Sequence, residues 1–315
     1  MFHVKHGRGR LDEDNRNRLA FAVKIVGKTG LRSHDTRRWQ SKPHLRVSLG
    51  YLDTIFDYLA ETHIRMYRMA SDLAPYLTKA DLPEQHQQIE EATGDLQRIG
   101  QRANDLGLRL SLHPSQYIVL NTPDGRVLDT ALRTFTSHAA ILDGMGLGHE
   151  HKIITHVGGL YNDRPTALAR FAERYEQLPD NVRARLVLEN DDRLFPVEDV
   201  LWLHQRTGIP IVFDWLHHVA LNPAGIDPIE AARRCLATWP DRQRQKLHFS
   251  TVAGGITPGK AAPHAGYIDP VDIIPFLHGL ADLTFDVMLE AKQKDLALLQ
   301  LRSDLQHAGL DGRFW

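Results

Sequence analysis

The sequence predicts an α/β fold, a single (β/α)8 TIM barrel, and three observations lead there. Eight short apolar stretches alternate with segments of helical spacing, an order that implies a parallel sheet with right-handed crossovers and, at eight units, closure. The length of 315 residues suits one such barrel. Six of the apolar stretches end on His, Asp or Glu, and in a barrel of this kind the carboxyl ends of all strands meet on one face. An open doubly wound sheet is the competing architecture. No Gly-rich dinucleotide loop follows the first strand, which weighs against it.

The elements follow in order. Residues 1–18 are polar and charged and are expected to form a mobile basic arm, with the barrel domain spanning 19–315. LAFAVKIVG (19–27) predicts strand one, and the basic stretch 28–46 a long loop. A helix is expected over 47–63, strand two over 64–70 and a polar-faced helix over 84–106. Strand three covers 108–114 with a helix over 127–145, and strand four 151–159 with a helix over 166–177. Strand five is the buried run RLVLEN, followed by a helix over 197–206; strand six is PIVFDW (210–215), followed by a helix over 228–238. Strand seven is KLHFS (246–250). A Gly/Pro/Ala-rich loop over 254–265 carries His264 to a helix over 271–281, and strand eight, FDVMLEAK (285–292), precedes a last helix over 295–307.

Composition narrows the class. Hydrophobic residues make up 42% and charged residues 24%, the balance of a folded chain rather than a disordered one. Net charge is −1, but residues 1–46 hold twelve Lys or Arg and four Asp or Glu, so a basic end of +8 faces a remainder of −9. That asymmetry fits a polyanion binder, although a basic segment is also often a plain solvated surface. Cys235 is the one cysteine, so no internal disulfide can form, which fits a reducing compartment. No apolar run reaches membrane-spanning length and the first residues lack the apolar core of a secretion signal. The expectation is a cytoplasmic monomer that does not touch membranes.

The chemistry lies at the strand ends. His113, His156, Glu189, Asp214, His217, His248, His264 and Glu290 all fall on the catalytic face of a barrel. A lone strand-end histidine is usually a satisfied structural residue; eight such groups on one rim point instead to a shared metal site. Imidazoles with carboxylates suit Zn²⁺, Mn²⁺ or Fe²⁺. Eight ligands exceed one ion's shell and suit two or three ions, with Glu189 as the bridging candidate. Clusters of this type stabilise the attacking and leaving oxygens of a phosphoryl displacement. Lys246 and His248 are two apart on strand seven and so share a face. A Lys aimed at a cluster is expected to be neutral, paired or carbamylated; the alternative is a Lys that covers the rim. Gln116 and Tyr117, in the loop after His113, form a pair that can enter a duplex, the ring stacking while the amide takes up orphaned base edges. His218 is expected either to support a neighbouring ligand or to be structural.

SLHPSQY, THVGG, LENDDR, FDWLHH with Asn-Pro beyond it, KLHFS, the PHAGY segment around His264, and VMLEAK together resemble the UV-damage endonucleases, which are related to endonuclease IV. The resemblance runs from about Met66 to Lys292. It implies a barrel that holds divalent ions, Mn²⁺ first with Zn²⁺ or Mg²⁺ as alternatives. It implies incision of damaged double-stranded DNA immediately 5′ of pyrimidine photoproducts and related lesions, leaving 3′-hydroxyl and 5′-phosphate ends. On this reading Glu189, Lys246, His248 and Glu290 are catalytic, and Gln116 and Tyr117 probe damage. Phe21, in place of the family's usual Gly-Tyr, borders the lesion pocket, and Arg37 and Arg38 beside Trp39 track phosphates. Two departures stand out. Lys79 occupies the place of a His that the family commonly carries after strand two, and the strand-one exit reads Ala20-Phe21. The rival readings are an abasic-site endonuclease of the endonuclease IV type, a metal-dependent sugar isomerase or epimerase, and a module that recognises damage without cutting.

Overall fold

The structure, a computed structural model, describes residues 16–314 apart from 242, 258 and 311. Eight parallel strands close a barrel in sequence order: β1 (Leu19–Ala22), β2 (Met66–Arg68), β3 (Arg109–Leu112), β4 (Lys152–Thr155), β5 (Leu186–Glu189), β6 (Ile211–Asp214), β7 (Gln245–Phe249) and β8 (Phe285–Leu289). β8 returns to pair with β1, Ala20 lying against Met288, so no sheet edge is left open. The helices around it are α1 (Leu45–Glu61), α2 (Gln88–Glu91), α3 (Thr93–Asp105), α4 (Gly125–Gly144), α5 (Arg164–Glu176), α6 (Asp180–Arg183), α7 (Val197–Thr207), α8 (Trp215–Ala220), α9 (Pro228–Leu236), α10 (Pro270–Gly279) and α11 (Lys294–His307). Local chemistry sets several starts. Asp124, Asp227 and Asp269 each accept backbone N–H bonds at the first turns of α4, α9 and α10, and Pro opens α9 and α10. Among the described residues no helix is long and apolar enough to cross a membrane.

Strand periodicity builds the barrel in layers. Residues such as Leu186, Leu188, Leu247 and Val287 join the large apolar shell between strands and helices. Their alternates point inward. Near the floor, Arg109 Nη1 donates to Asp286 Oδ2 at 2.8 Å and Arg244 Nε donates to Asp286 Oδ1 at 2.6 Å. Above it lie two small apolar groups, Ile154 with Val187, Val212 and Trp239, and Ala20 with Met66 and Met288. Two residues further along each strand come Arg68, His113, His156, Glu189, Asp214, His248 and Glu290. The inside of the barrel is thus filled by apolar and ion-paired side chains below, and the chemistry is pushed to the top rim.

Several expectations need correction. Strand one ends at Ala22, because Val23 turns into the left-handed region at φ 65 and donates its N–H to the Arg68 carbonyl. The helix expected over 84–106 is broken at Ala92 into α2 and α3. α8 and the short α6 had no counterpart in the sequence reading. Of the arm expected over 1–18, residues 1–15 lie outside the described residues, whereas Asn17 is buried and pairs with Phe314, and Arg18 N–H donates to Asp286 Oδ1 at 2.9 Å. Residues 17 and 18 therefore belong to the floor of the barrel.

Candidate metal centre

Glu189 is fully buried at the exit of β5 and is surrounded by imidazoles. His248 Nδ1 is 2.7 Å from its Oε1, His113 Nε2 3.0 Å and His156 Nε2 3.4 Å from its Oε2, and His217 Nδ1 3.6 Å from its Oε1. Two groups of ligand atoms are each spaced within 4.8 Å: His113, His156 and Glu189 in one, Glu189, Asp214, His248 and Glu290 in the other. They share Glu189. Asp214 is held from both sides. Its N–H donates to Asn190 Oδ1 at 2.8 Å, Asn190 Nδ2 donates back to its carbonyl at 3.1 Å, and its Oδ1 caps α8 by accepting from His217 N at 2.8 Å. The cap explains why FDWLHH turns at once into a helix and lifts His217 to the rim. His217 Nδ1 donates to the Asn190 carbonyl at 2.9 Å, which leaves Nε2 for a ligand.

Burial and neighbouring charges set the protonation of these groups. Burial raises the Glu189 carboxyl well above its ordinary range and raises Asp214 too, since an ionised oxygen there has lost water. Burial also depresses the imidazoles of His113 and His248 far below 6.5, helped by the Arg68 charge, and takes His156 to about 4. Neutral imidazoles are the form that ligates metal. For His217, burial opposes protonation, but Asp214, Glu189 and Glu290 outweigh it and lift the value to about 9. Asp214 Oδ2, His156 Nδ1 and His264 Nδ1 are buried without a hydrogen-bond partner. An orphaned carboxylate oxygen among imidazoles fits a divalent cation, so the residues present suit the expected group.

The remaining expected ligand, His264, bridges to Val252 and lines an open groove together with His156 and His217. Neither it nor His217 joins a close group. Lys246 points inward, 1% exposed, with Nζ donating to Ser111 Oγ at 3.0 Å, so the rim-covering alternative falls. Burial, with Arg68 and Arg109 nearby, pushes its amine well below the ordinary Lys value. Gln116 and Tyr117 are exposed and line the same groove, a cavity of about 1000 Å³ that opens beside His156 and His217. Arg37 is exposed and forks onto Asp35 at 2.9 and 2.7 Å, while Arg38 stands in solvent. Lys79 is exposed and lines a second cavity, of about 800 Å³, that reaches His113. His218 is structural, with Nε2 2.9 Å from the Ile226 carbonyl.

Phe21 is the residue the sequence misplaced. It is fully buried, its ring edge-on to Tyr67 with centroids 5.4 Å apart, because Ala20 and Ala22 take the inward positions of β1. A DNA contact from Phe21 is therefore withdrawn. Arg68 is the residue the sequence missed. It lies at the exit of β2, 7% exposed, with Nη2 2.6 Å from Glu290 Oε1 and 3.0 Å from His248 Nε2. The signal was its place: Arg68 ends a strand as the ligands do, but it carries the opposite charge.

A closed parallel barrel with imidazoles and carboxylates converging on one buried glutamate defines the class: a (β/α)8 barrel with a candidate metal site and an open groove at its rim. Within that class the chain belongs to the UV-endonuclease UvdE family, whose model matches residues 45–311. A relative from Bacillus cereus (strain B4264), named UV DNA damage endonuclease, is 32% identical over 264 residues, covering 83% of this chain and 81% of the relative. The crystal structure titled SacUVDE superposes with a TM-score of 0.81 at 30% identity, over 93% of this chain and 99% of that one. Endonuclease IV from Thermus thermophilus shares the fold, with a TM-score of 0.57 at 16% identity over 92% of this chain and 99% of its own.

Proposed function

We propose that the protein is a DNA repair endonuclease that hydrolyses the phosphodiester bond immediately 5′ of UV photoproducts and related lesions, leaving 3′-hydroxyl and 5′-phosphate ends with the help of divalent ions. The observation that carries this reading is Glu189, shared by two ligand groups, one of which includes His156, a lining residue of the groove that also holds Gln116 and Tyr117. Family membership and the relatives' names support it.

The proposed ligands for two or three ions, with Mn²⁺ as the first candidate, are His113, His156, Glu189, Asp214, His217, His248, His264 and Glu290. Bound divalent ions supply a lowered pKa for water and neutralise charge on the phosphate oxygens. Glu189 holds the two ligand groups at a fixed separation. Glu290 and His248 are braced by Arg68, so their donor atoms stay in register. Lys246 lies under the cluster, its amine pushed toward the uncharged form that takes up CO2 as a carbamate with loss of a proton to solvent, which would add an anion below the ligands. Gln116 and Tyr117 enter the duplex at the lesion, the ring replacing a lost stack and the amide meeting unpaired base edges. Arg38 follows the phosphate backbone, while Arg37, forked onto Asp35, holds the loop that presents it.

The test is incubation of the purified protein with end-labelled duplexes, one carrying a pyrimidine dimer and one an abasic site, in Mn²⁺, Mg²⁺ or EDTA. Incision 5′ of the dimer in Mn²⁺ and none in EDTA is expected. Cutting of the abasic duplex alone selects the abasic-site reading. Tight lesion binding with no cut under any metal selects a recognition module, and no DNA effect at all returns the barrel to the sugar-acting class.

A further inference from the structure

We propose that Tyr161 is a fixed stacking platform for one base of the DNA strand that occupies the groove, a second aromatic contact besides Tyr117. This rests on the reading above that the groove takes damaged DNA. Tyr161 follows β4 and His156 in the loop His156–Asn162 and lines the groove with Gln116 and Tyr117. Its backbone stands at φ 50 and that of Asn162 at φ 68, two successive non-glycine residues in the left-handed region. Such conformations persist only where surrounding structure enforces them, and they concentrate at functional sites.

The enforcement is visible. Asn121, fully buried, grips the loop with both ends of its amide: Gly159 N–H donates to Oδ1 at 3.2 Å and Nδ2 donates to the Gly159 carbonyl at 2.8 Å. Arg170 Nη1 donates to the Asn121 carbonyl at 2.8 Å, and its guanidinium carbon lies 5.8 Å from the centre of the Tyr161 ring. The ring lies over Gly159, since a Cβ there would come within 2.8 Å of Tyr161 Cζ. A buried amide, an arginine and a glycine thus hold one ring, yet the residue remains 42% exposed. Packing alone does not account for that, because a ring held only for burial would be covered. A rigid aromatic face at the edge of a groove fits a nucleobase, which stacks whatever its identity. Tyr117, by contrast, is 74% exposed in its loop.

The experiment measures incision kinetics of the Mn²⁺-loaded protein on a dimer-containing duplex, together with the fluorescence of 2-aminopurine placed beside the lesion. Tyr161→Ala should raise KM roughly tenfold, the loss expected of one base stack, with kcat nearly unchanged and the quenching of the probe base lost. Tyr161→Phe should behave as the parent chain. Gly159→Ala, which keeps the tyrosine but pushes the ring away, should resemble Tyr161→Ala, while thermal melting and metal content stay level in all three. Unchanged KM and quenching in Tyr161→Ala overturn the platform, as does an equal loss in Tyr161→Phe, which would assign the effect to the hydroxyl. If the parent chain itself neither cuts nor prefers the lesion duplex, the functional reading falls and the platform falls with it; if only the variants fail to differ, the functional reading stands.

Discussion

Arg68 donates to Glu290 Oε1 at 2.6 Å from inside the ring of candidate ligands, with 9% and 16% of the two side chains exposed. A guanidinium therefore stands among the candidate ligand atoms. It holds Glu290 well below the usual carboxylate range, against the effect of burial, and it helps keep His113 and His248 unprotonated. Arg68→Met should leave Glu290 unpaired and cost the metal-free protein about 3 kcal/mol, the low end for breaking a buried pair. That is a fall in Tm of roughly 4–5 °C for a chain of this size. Melts in EDTA and in Mn²⁺ check it, since a bound cation beside Glu290 should restore most of the loss.

Glu189→Gln should lower incision at least about 100-fold, more than the loss of an outer hydrogen-bond partner costs a metal site. The near-isosteric amide should keep the fold. Metal content measured alongside activity decides the assignment: full cutting with added Mn²⁺ would show that Glu189 is not the shared ligand.

In the metal-free protein, stability should fall as pH rises above neutrality. The folded value of His217 is about 9 against 6.5 for an unperturbed imidazole, so its contribution is complete below pH 6.5 and is lost as pH rises through 9. The raised Glu189 carboxyl acts in the same sense. His156, at about 4, works oppositely: its contribution is present above 6.5 and lost as pH falls through 4. Urea unfolding in EDTA at intervals of pH should show a maximum near neutrality. His217→Gln should remove up to about 3 kcal/mol of the alkaline decline. A parent chain equally stable at all pH values would contradict these placements.

Arg38→Ala should weaken binding to damaged and intact duplexes alike and reduce the slope of log K against log salt by roughly 0.9, the value for one phosphate contact. Arg37→Ala should act mainly on the loop, because Arg37 is committed to Asp35, which also accepts from His44 N–H at 3.0 Å. Salt titrations of the two variants separate these effects.

Lys246, buried and with its amine held well below the ordinary Lys value, should gain one carboxyl group reversibly in bicarbonate, read by native mass spectrometry of the folded protein. Lys246→Met should show no such gain. A parent chain whose mass is identical with and without bicarbonate would leave Lys246 as a plain amine hydrogen-bonded to Ser111.

Their position at strand exits let the sequence place Glu189, Asp214, His248 and Glu290 on one rim, because strand exits in a closed parallel barrel must converge. The resemblance at the strand-one exit sent Phe21 to the groove, when Ala20 and Ala22 hold the inward positions. A run with no polar residue does not say which alternates face in; only the pairing of Ala20 with Met66 and Met288 decides it. Arg68 was hidden for another reason: a strand-end arginine has no meaning until Glu290 and His248, some 220 and 180 residues away, are brought to it. α8 is likewise a product of contact between Asp214 and the His217 backbone, since WLHHVA alone is too short to nucleate a helix. The sequence by itself determined the barrel, the strand exits and the identity of the donor groups, all of which follow from local periodicity and side-chain chemistry. The tertiary structure alone decided which donors share Glu189, which cation joins them and how Asn121 sets the Tyr161 loop, because those relationships are distances between segments remote in the chain.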